Sequence, residues 1–147
     1  MQIDISKELK KWLTTQECFE VVIAFMGHFD LREWQKMEDF ITQEIIWERP
    51  DQTISGISNL RTVLQSTPKD TRVRHVISNL KSTFLKNGNV QITSYFTVYR
   101  ILNIKEGDDA PFELNGPVSM GMYFDELTQV NNSWRILKKQ TQLDFRK

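Results

Sequence analysis

The sequence is poor in cysteine, histidine, glycine and proline, and it has no surplus of either charge. A single cysteine, Cys18, rules out a disulfide within the chain and fits a reducing compartment. Lysine plus arginine and aspartate plus glutamate number 19 each, so the formal net charge is zero. Bulk charge therefore gives no reason to expect nucleic acid or an anionic membrane face as partner, although it says nothing about local patches. No apolar run approaches the ~20 residues that a membrane-spanning helix needs. The charged opening, Met1–Trp12, lacks the apolar centre of a secretory signal, so a cytoplasmic protein is expected. There is no glycine-rich phosphate loop and no nucleophile elbow. His28 and Asp30 sit two apart with no third ligand at metal spacing, so no metal or cofactor is expected.

What is present describes a globular domain. Of 147 residues, 39% are hydrophobic and 26% charged, a balance that supports a core and argues against disorder. The spacing predicts a leader over residues 1–13 and a single domain over residues 14–147. A helix is expected over Thr15–Phe29, with Thr14 and Glu17 at capping-box spacing. Cys18, Val21, Val22, Phe25 and Phe29 share one face of it, and Cys18 reads as a small buried hydrophobe. A second helix is expected over Arg32–Thr42, with Asp30 and Glu33 at capping distance. A short strand over Glu44–Glu48 and a helix over Ile57–Ser66 follow. Four long strands complete the chain, at Thr71–Leu85, Val90–Ile104, Val118–Val130 and Trp134–Phe145. Asn87-Gly88 is a strong hairpin turn between the first two, because both residues tolerate positive φ. Helices first and hairpin-linked strands after predict an α+β fold with a mainly antiparallel sheet. Strands this long must bend, so the sheet is expected to curl around the helices.

These pieces, in order, resemble a known family. The residues that carry the likeness are His28-Phe29-Asp30, Leu31-Arg32-Glu33-Trp34, Ile45-Ile46-Trp47-Glu48, Gly56 opening a helix, Arg74-His75 with Asn79-Leu80, Ser94-Tyr95-Phe96, Gly121-Met122-Tyr123-Phe124-Asp125 and Trp134-Arg135-Ile136. From about Thr14 to Leu143 the chain resembles the SnoaL-like branch of the nuclear transport factor 2-like superfamily, near scytalone dehydratase and a dehydrochlorinase. The resemblance implies a cone, in which a curved sheet wraps the N-terminal helices around an internal pocket. It implies no single activity, because the family holds lyases, isomerases, cyclases and proteins without catalysis.

The resemblance places Asp30 and His75 where such enzymes carry a catalytic Asp–His pair. A histidine titrates near neutral pH, and a carboxylate fixes its tautomer and stabilises the imidazolium. The expected role is a base, His75, oriented by Asp30, removing a proton in an elimination or an isomerisation. The competing expectation is that Asp30 caps a helix and His75 is a half-buried strand residue. Several positions depart from the dehydratase pattern. Phe29, Arg49 and Phe96 stand where it has two tyrosines and a second histidine. Arg49 also replaces the aspartate base of ketosteroid isomerases, and Tyr123 replaces the acid of polyketide cyclases. Phe29, Trp47, Arg49, Phe96 and Tyr123 are the expected substrate-binding residues. Alternation puts Ser94, Phe96 and Val98 on one face, and Ser119, Gly121 and Tyr123 on another. A small-molecule ligand is thus expected in a largely apolar pocket. Tyr95, Tyr99 and Ile101 make the opposite face unusually apolar, which predicts a homodimer. A non-catalytic ligand-binding or dimerisation module is the alternative.

Overall fold

The computed structural model describes residues 4–147. It is an α+β fold in which three helices, two ahead of the first strand and one between the second and third strands, pack against a curled, open, six-stranded sheet. The first three residues of the expected leader lie outside the described residues. Residues 5–13 are already helical, because α1 runs unbroken over Ile5–Leu31. Its cap is Asp4, whose carboxylate accepts from the Lys7 N–H at 3.2 Å, and not Thr14. Strong helix formers fill Ile5–Leu13, so nothing stops the helix from propagating back past the threonines. Thr15 instead bonds Ser82 across the fold, hydroxyl to hydroxyl at 3.0 Å.

The buried stripe of α1 is Cys18, Val21, Val22, Phe25 and Met26, packed on the concave face of the sheet. Arg32 ends the helix in the left-handed region, φ 60°, with its N–H donating to the His28 and Phe29 carbonyls. Beyond it, α2 spans only Trp34–Met37 and tightens into a 3-10 turn over Glu38–Phe40. The expected longer helix fails because β-branched Ile41 and Thr42 open strand β1, Ile41–Glu48. A short strand β2, Thr53–Ser55, doubles back on β1 and was not legible in the pattern. Helix α3, Ile57–Gln65, buries Ile57, Leu60 and Leu64.

Strands β3 (Arg72–Phe84), β4 (Val90–Ile101), β5 (Ser119–Val130) and β6 (Ser133–Arg146) are antiparallel neighbours. The sheet order is β2-β1-β6-β5-β4-β3, with β1 and β6 parallel. Four register shifts interrupt three of the pairings, and such bulges bend strands and sharpen their twist. Two of them matter for the interior. Asn79, φ 53°, lies in the β3 bulge, so inward positions change from His75 and Ile77 to Leu80 and Ser82. On β6 the shift beside Leu137 lets Ile136 and Lys139 both point inward. Gly121 is required where β4, β5 and β6 crowd together. A Cβ there would stand 2.0 Å from the Gln142 carbonyl oxygen and 2.9 Å from the Phe96 ring.

Candidate active site

Asp30 and His75 meet although 45 residues separate them. The last turn of α1 holds Asp30 against β3, the edge strand of the sheet. One carboxylate oxygen, Oδ1, lies 2.6 Å from His75 Nδ1; the other, Oδ2, accepts the His75 backbone N–H at 2.6 Å. The carboxylate therefore satisfies an edge-strand donor and orients the ring at once. The helix-cap expectation for Asp30 fails for this reason. Glu33 precedes α2 instead, makes no side-chain cap, and pairs with His28 and Lys36. Those two partners, Lys36 first and His28 second, hold the Glu33 carboxyl below its ordinary range.

The side chains of His75 and Asp30 are only 10% and 7% exposed. A neutral imidazole that donates from Nδ1 to a carboxylate keeps Nε2 as its acceptor. Among the described residues no protein group hydrogen-bonds that nitrogen. Phe29 sets its ring edge on His75 at 5.5 Å and also meets Trp47 at 6.1 Å. Trp47 is fixed by its indole N–H, which donates to Thr141 Oγ1 at 3.0 Å. Arg49 follows the strand, stacks on the Trp47 ring at 5.5 Å, and keeps a partly exposed ion pair with Asp51 at 3.2 Å.

Phe96 and Tyr123 pack as a stacked pair, centroids 4.4 Å apart, on adjacent strands β4 and β5. Burial first, then the charges of Asp125 and Asp30, push the Tyr123 phenol well above its ordinary value, while Arg49 pulls it down. Opposite Tyr123, the Ser94 hydroxyl is sealed in the interior and has no hydrogen-bond partner among the described residues. The expected residues therefore form two groups. Phe29 packs on His75, Trp47 on Phe29 and Arg49 on Trp47 in turn, while Phe96 and Tyr123 form a separate buried pair.

One pair escaped sequence reasoning. Asp125 and Lys139 are both 0% exposed, and the ammonium donates to Oδ1 at 3.0 Å and Oδ2 at 3.1 Å. Lys139 Nζ also lies 3.6 Å from the Tyr123 ring centroid. Burial raises the Asp125 pKa and lowers that of Lys139, and each partner opposes the shift of the other. Alternation from Tyr123 points Asp125 inward and could have revealed it. Lys139 was hidden, because the shift beside Leu137 reverses the parity of β6. Among the described residues, no three His, Cys, Asp or Glu side chains gather as metal ligands do. No described helix is long and apolar enough to cross a membrane.

Solved structures with the same fold support the architecture. ActVI-ORFA of Streptomyces coelicolor is 15% identical, covers 88% of this chain and 96% of its own, and superposes with a TM-score of 0.71. A protein of Novosphingobium aromaticivorans, provisionally described as a scytalone dehydratase, is 12% identical over 93% of this chain and 88% of its own, with a TM-score of 0.76. A second protein of that organism, nuclear transport factor 2-like with a cystatin-like fold, is 10% identical over 95% of this chain and 88% of its own, with a TM-score of 0.77. At such identities the likeness is one of fold alone. No curated protein matches the sequence. The family model of the SnoaL-like domain matches residues 13–140, nearly the whole chain, and the protein belongs to that family.

Proposed function

We propose that the protein is a cofactor-free lyase or isomerase that moves a proton on a small, mostly apolar substrate. His75 is the base, acting through Nε2, and Asp30 holds its tautomer and stabilises the imidazolium as it forms. The observation that carries this reading is the 2.6 Å contact of Asp30 Oδ1 with His75 Nδ1 inside an aromatic cluster. Phe29 and Trp47 form the apolar wall for the substrate. Arg49 offers charge to a carboxylate or developing enolate. Phe96 and Tyr123, packed on each other behind that wall, shape the interior beneath it. Proton abstraction next to a carbonyl gives isomerisation when the proton returns elsewhere, and elimination when a leaving group departs.

The test is solvent deuterium exchange into a panel of enolisable ketones, β-hydroxy carbonyls and β-halo compounds. Mass spectrometry follows both label uptake and product. Exchange should occur with the wild-type protein and vanish in His75→Ala. Exchange at the wild-type rate in His75→Ala would refute the assignment.

A second reading has its own support. The stacked Phe96–Tyr123 pair is closely packed, which suits a binding module without turnover. Under this reading a ligand from the panel binds saturably with no exchange into it. Both readings share a homodimer through the convex face of the sheet. There Val76, Thr97, Met120 and Phe145 lie side by side across four strands, and the three apolar ones are exposed. A monomer in light scattering at micromolar concentration would contradict the dimer.

A further inference from the structure

The zero net charge of the chain conceals a cluster of cations on the far side of Asp30. Arg32, Lys69, Arg72 and Arg74 line a depression of about 420 Å³, together with Asp30 and Leu31. It lies between the end of α1, the loop before β3, and the start of β3. Among the described residues none of these four cations joins a salt bridge. Three of them are instead held by neutral oxygens. Arg32 Nη2 donates to the Pro68 carbonyl, to the Thr71 carbonyl at 3.2 Å and to Thr71 Oγ1 at 2.8 Å. Arg72 Nη1 donates to the Thr71 carbonyl at 3.0 Å. Arg74 Nη1 donates to the Val73 carbonyl at 2.7 Å and the Asp30 carbonyl at 3.4 Å. These bonds orient the guanidiniums without cancelling their charge, and each keeps other N–H donors free.

The C-terminus of α1 attracts cations, and that could account for part of the cluster. A helix end carries only about half a negative charge, however, and four positive charges surround this one. The backbone supplies a second sign. Arg32 occupies the left-handed region, φ 60°, where glycine is the favoured residue. A strained arginine in place of glycine keeps a guanidinium at the rim of the depression. Strain of this kind persists where the side chain is needed.

We propose that this depression binds a phosphate-type dianion, either free or carried on a small phosphorylated molecule. Arginine forks and a lysine point charge are the groups that suit such an anion. Leu31, exposed at the edge, would support the carbon part of an ester. The site is independent of what the dyad catalyses. It adjoins the dyad at Asp30, which lines the depression and whose carbonyl accepts from Arg74 Nη1.

Isothermal titration calorimetry tests this on the full chain at constant ionic strength, with inorganic phosphate and phenyl phosphate as probes. Saturable binding at one site is expected for at least one probe. Tighter binding of phenyl phosphate identifies an ester as the ligand, and tighter binding of inorganic phosphate identifies the free ion. Lys69→Gln/Arg72→Gln should weaken binding about tenfold or more, since two charged donors are lost. Arg32→Gly should do the same while keeping the fold, because glycine accepts the same φ; circular dichroism checks this. Lys10→Gln/Lys11→Gln, on the far end of α1, should bind as the wild type does. No saturable binding of either probe, or equal binding by the Lys69/Arg72 and Arg32 variants, would overturn the proposal. Preference for an oligonucleotide over both probes would overturn it as well.

Discussion

The buried Asp125–Lys139 pair gives the sharpest test of how this interior is balanced. Lys139→Met keeps the length of the side chain and removes its charge. It leaves the Asp125 carboxylate fully buried and opposite no cation. Breaking such a pair costs about 3–5 kcal/mol, since the surviving charge keeps its desolvation penalty and loses its partner. For a domain near this size that is a fall in Tm on the order of 10 °C. The Lys139 contact with the Tyr123 ring, at 3.6 Å, is lost too and adds to the effect. The variant should also acquire a pH dependence. Burial already raises the Asp125 pKa, and without Lys139 nothing opposes the rise. The folded state then holds a proton that the unfolded chain releases near its ordinary value of about 3.9. Stability of Lys139→Met is therefore greatest at low pH and falls as pH climbs toward the folded-state pKa. Replacing both partners, Asp125→Leu with Lys139→Met, removes both desolvation penalties and should bring stability back to within about 1 kcal/mol of wild type, or above it. Urea unfolding followed by tryptophan fluorescence at pH 5 and pH 8 measures all of these. A single variant within about 1 kcal/mol of wild type at pH 8, or a double variant no better than the single, would refute the reasoning.

Three other outcomes follow from particular contacts. Gly121→Ala should destabilise by about 1–3 kcal/mol in urea unfolding, because its methyl meets a backbone oxygen that cannot retreat. Cys18 is fully buried, and burial, with Glu17 adding, pushes its thiol up to about 12. It should resist a thiol reagent at pH 8 in native protein and react fully in denaturant; rapid native labelling would contradict this burial. Asp30→Ala should cost about 2–4 kcal/mol as well as any activity, since its carboxylate accepts from both the backbone and the ring of His75. Asp30→Asn, which can still accept the backbone N–H, should recover part of that stability but not the exchange activity. Equal stability of Asp30→Ala and wild type in urea would show that the contact adds nothing to the edge strand.

Local pattern was sufficient for the α+β class, for the long strands with their Asn87-Gly88 turn, and for most of the buried stripe of α1, where Met26 takes the place expected of the half-buried Phe29. These features repeat every two, or every three to four, residues, and that period is written in side-chain polarity. The inward direction of Trp47, Phe96 and Tyr123 could be read in the same way. Tertiary contacts decided the rest. Asp30 looked like a helix cap by spacing, and became a partner of His75 only because α1 continues through it and ends against the edge of β3. The inward turn of Lys139 and the outward turn of Asn79 depend on bulges, which change parity without changing composition. The four cations beside Asp30 come from two distant stretches of a neutral chain. A sum of charges contains no distances, so only the packing of the helix end on the sheet brings them together.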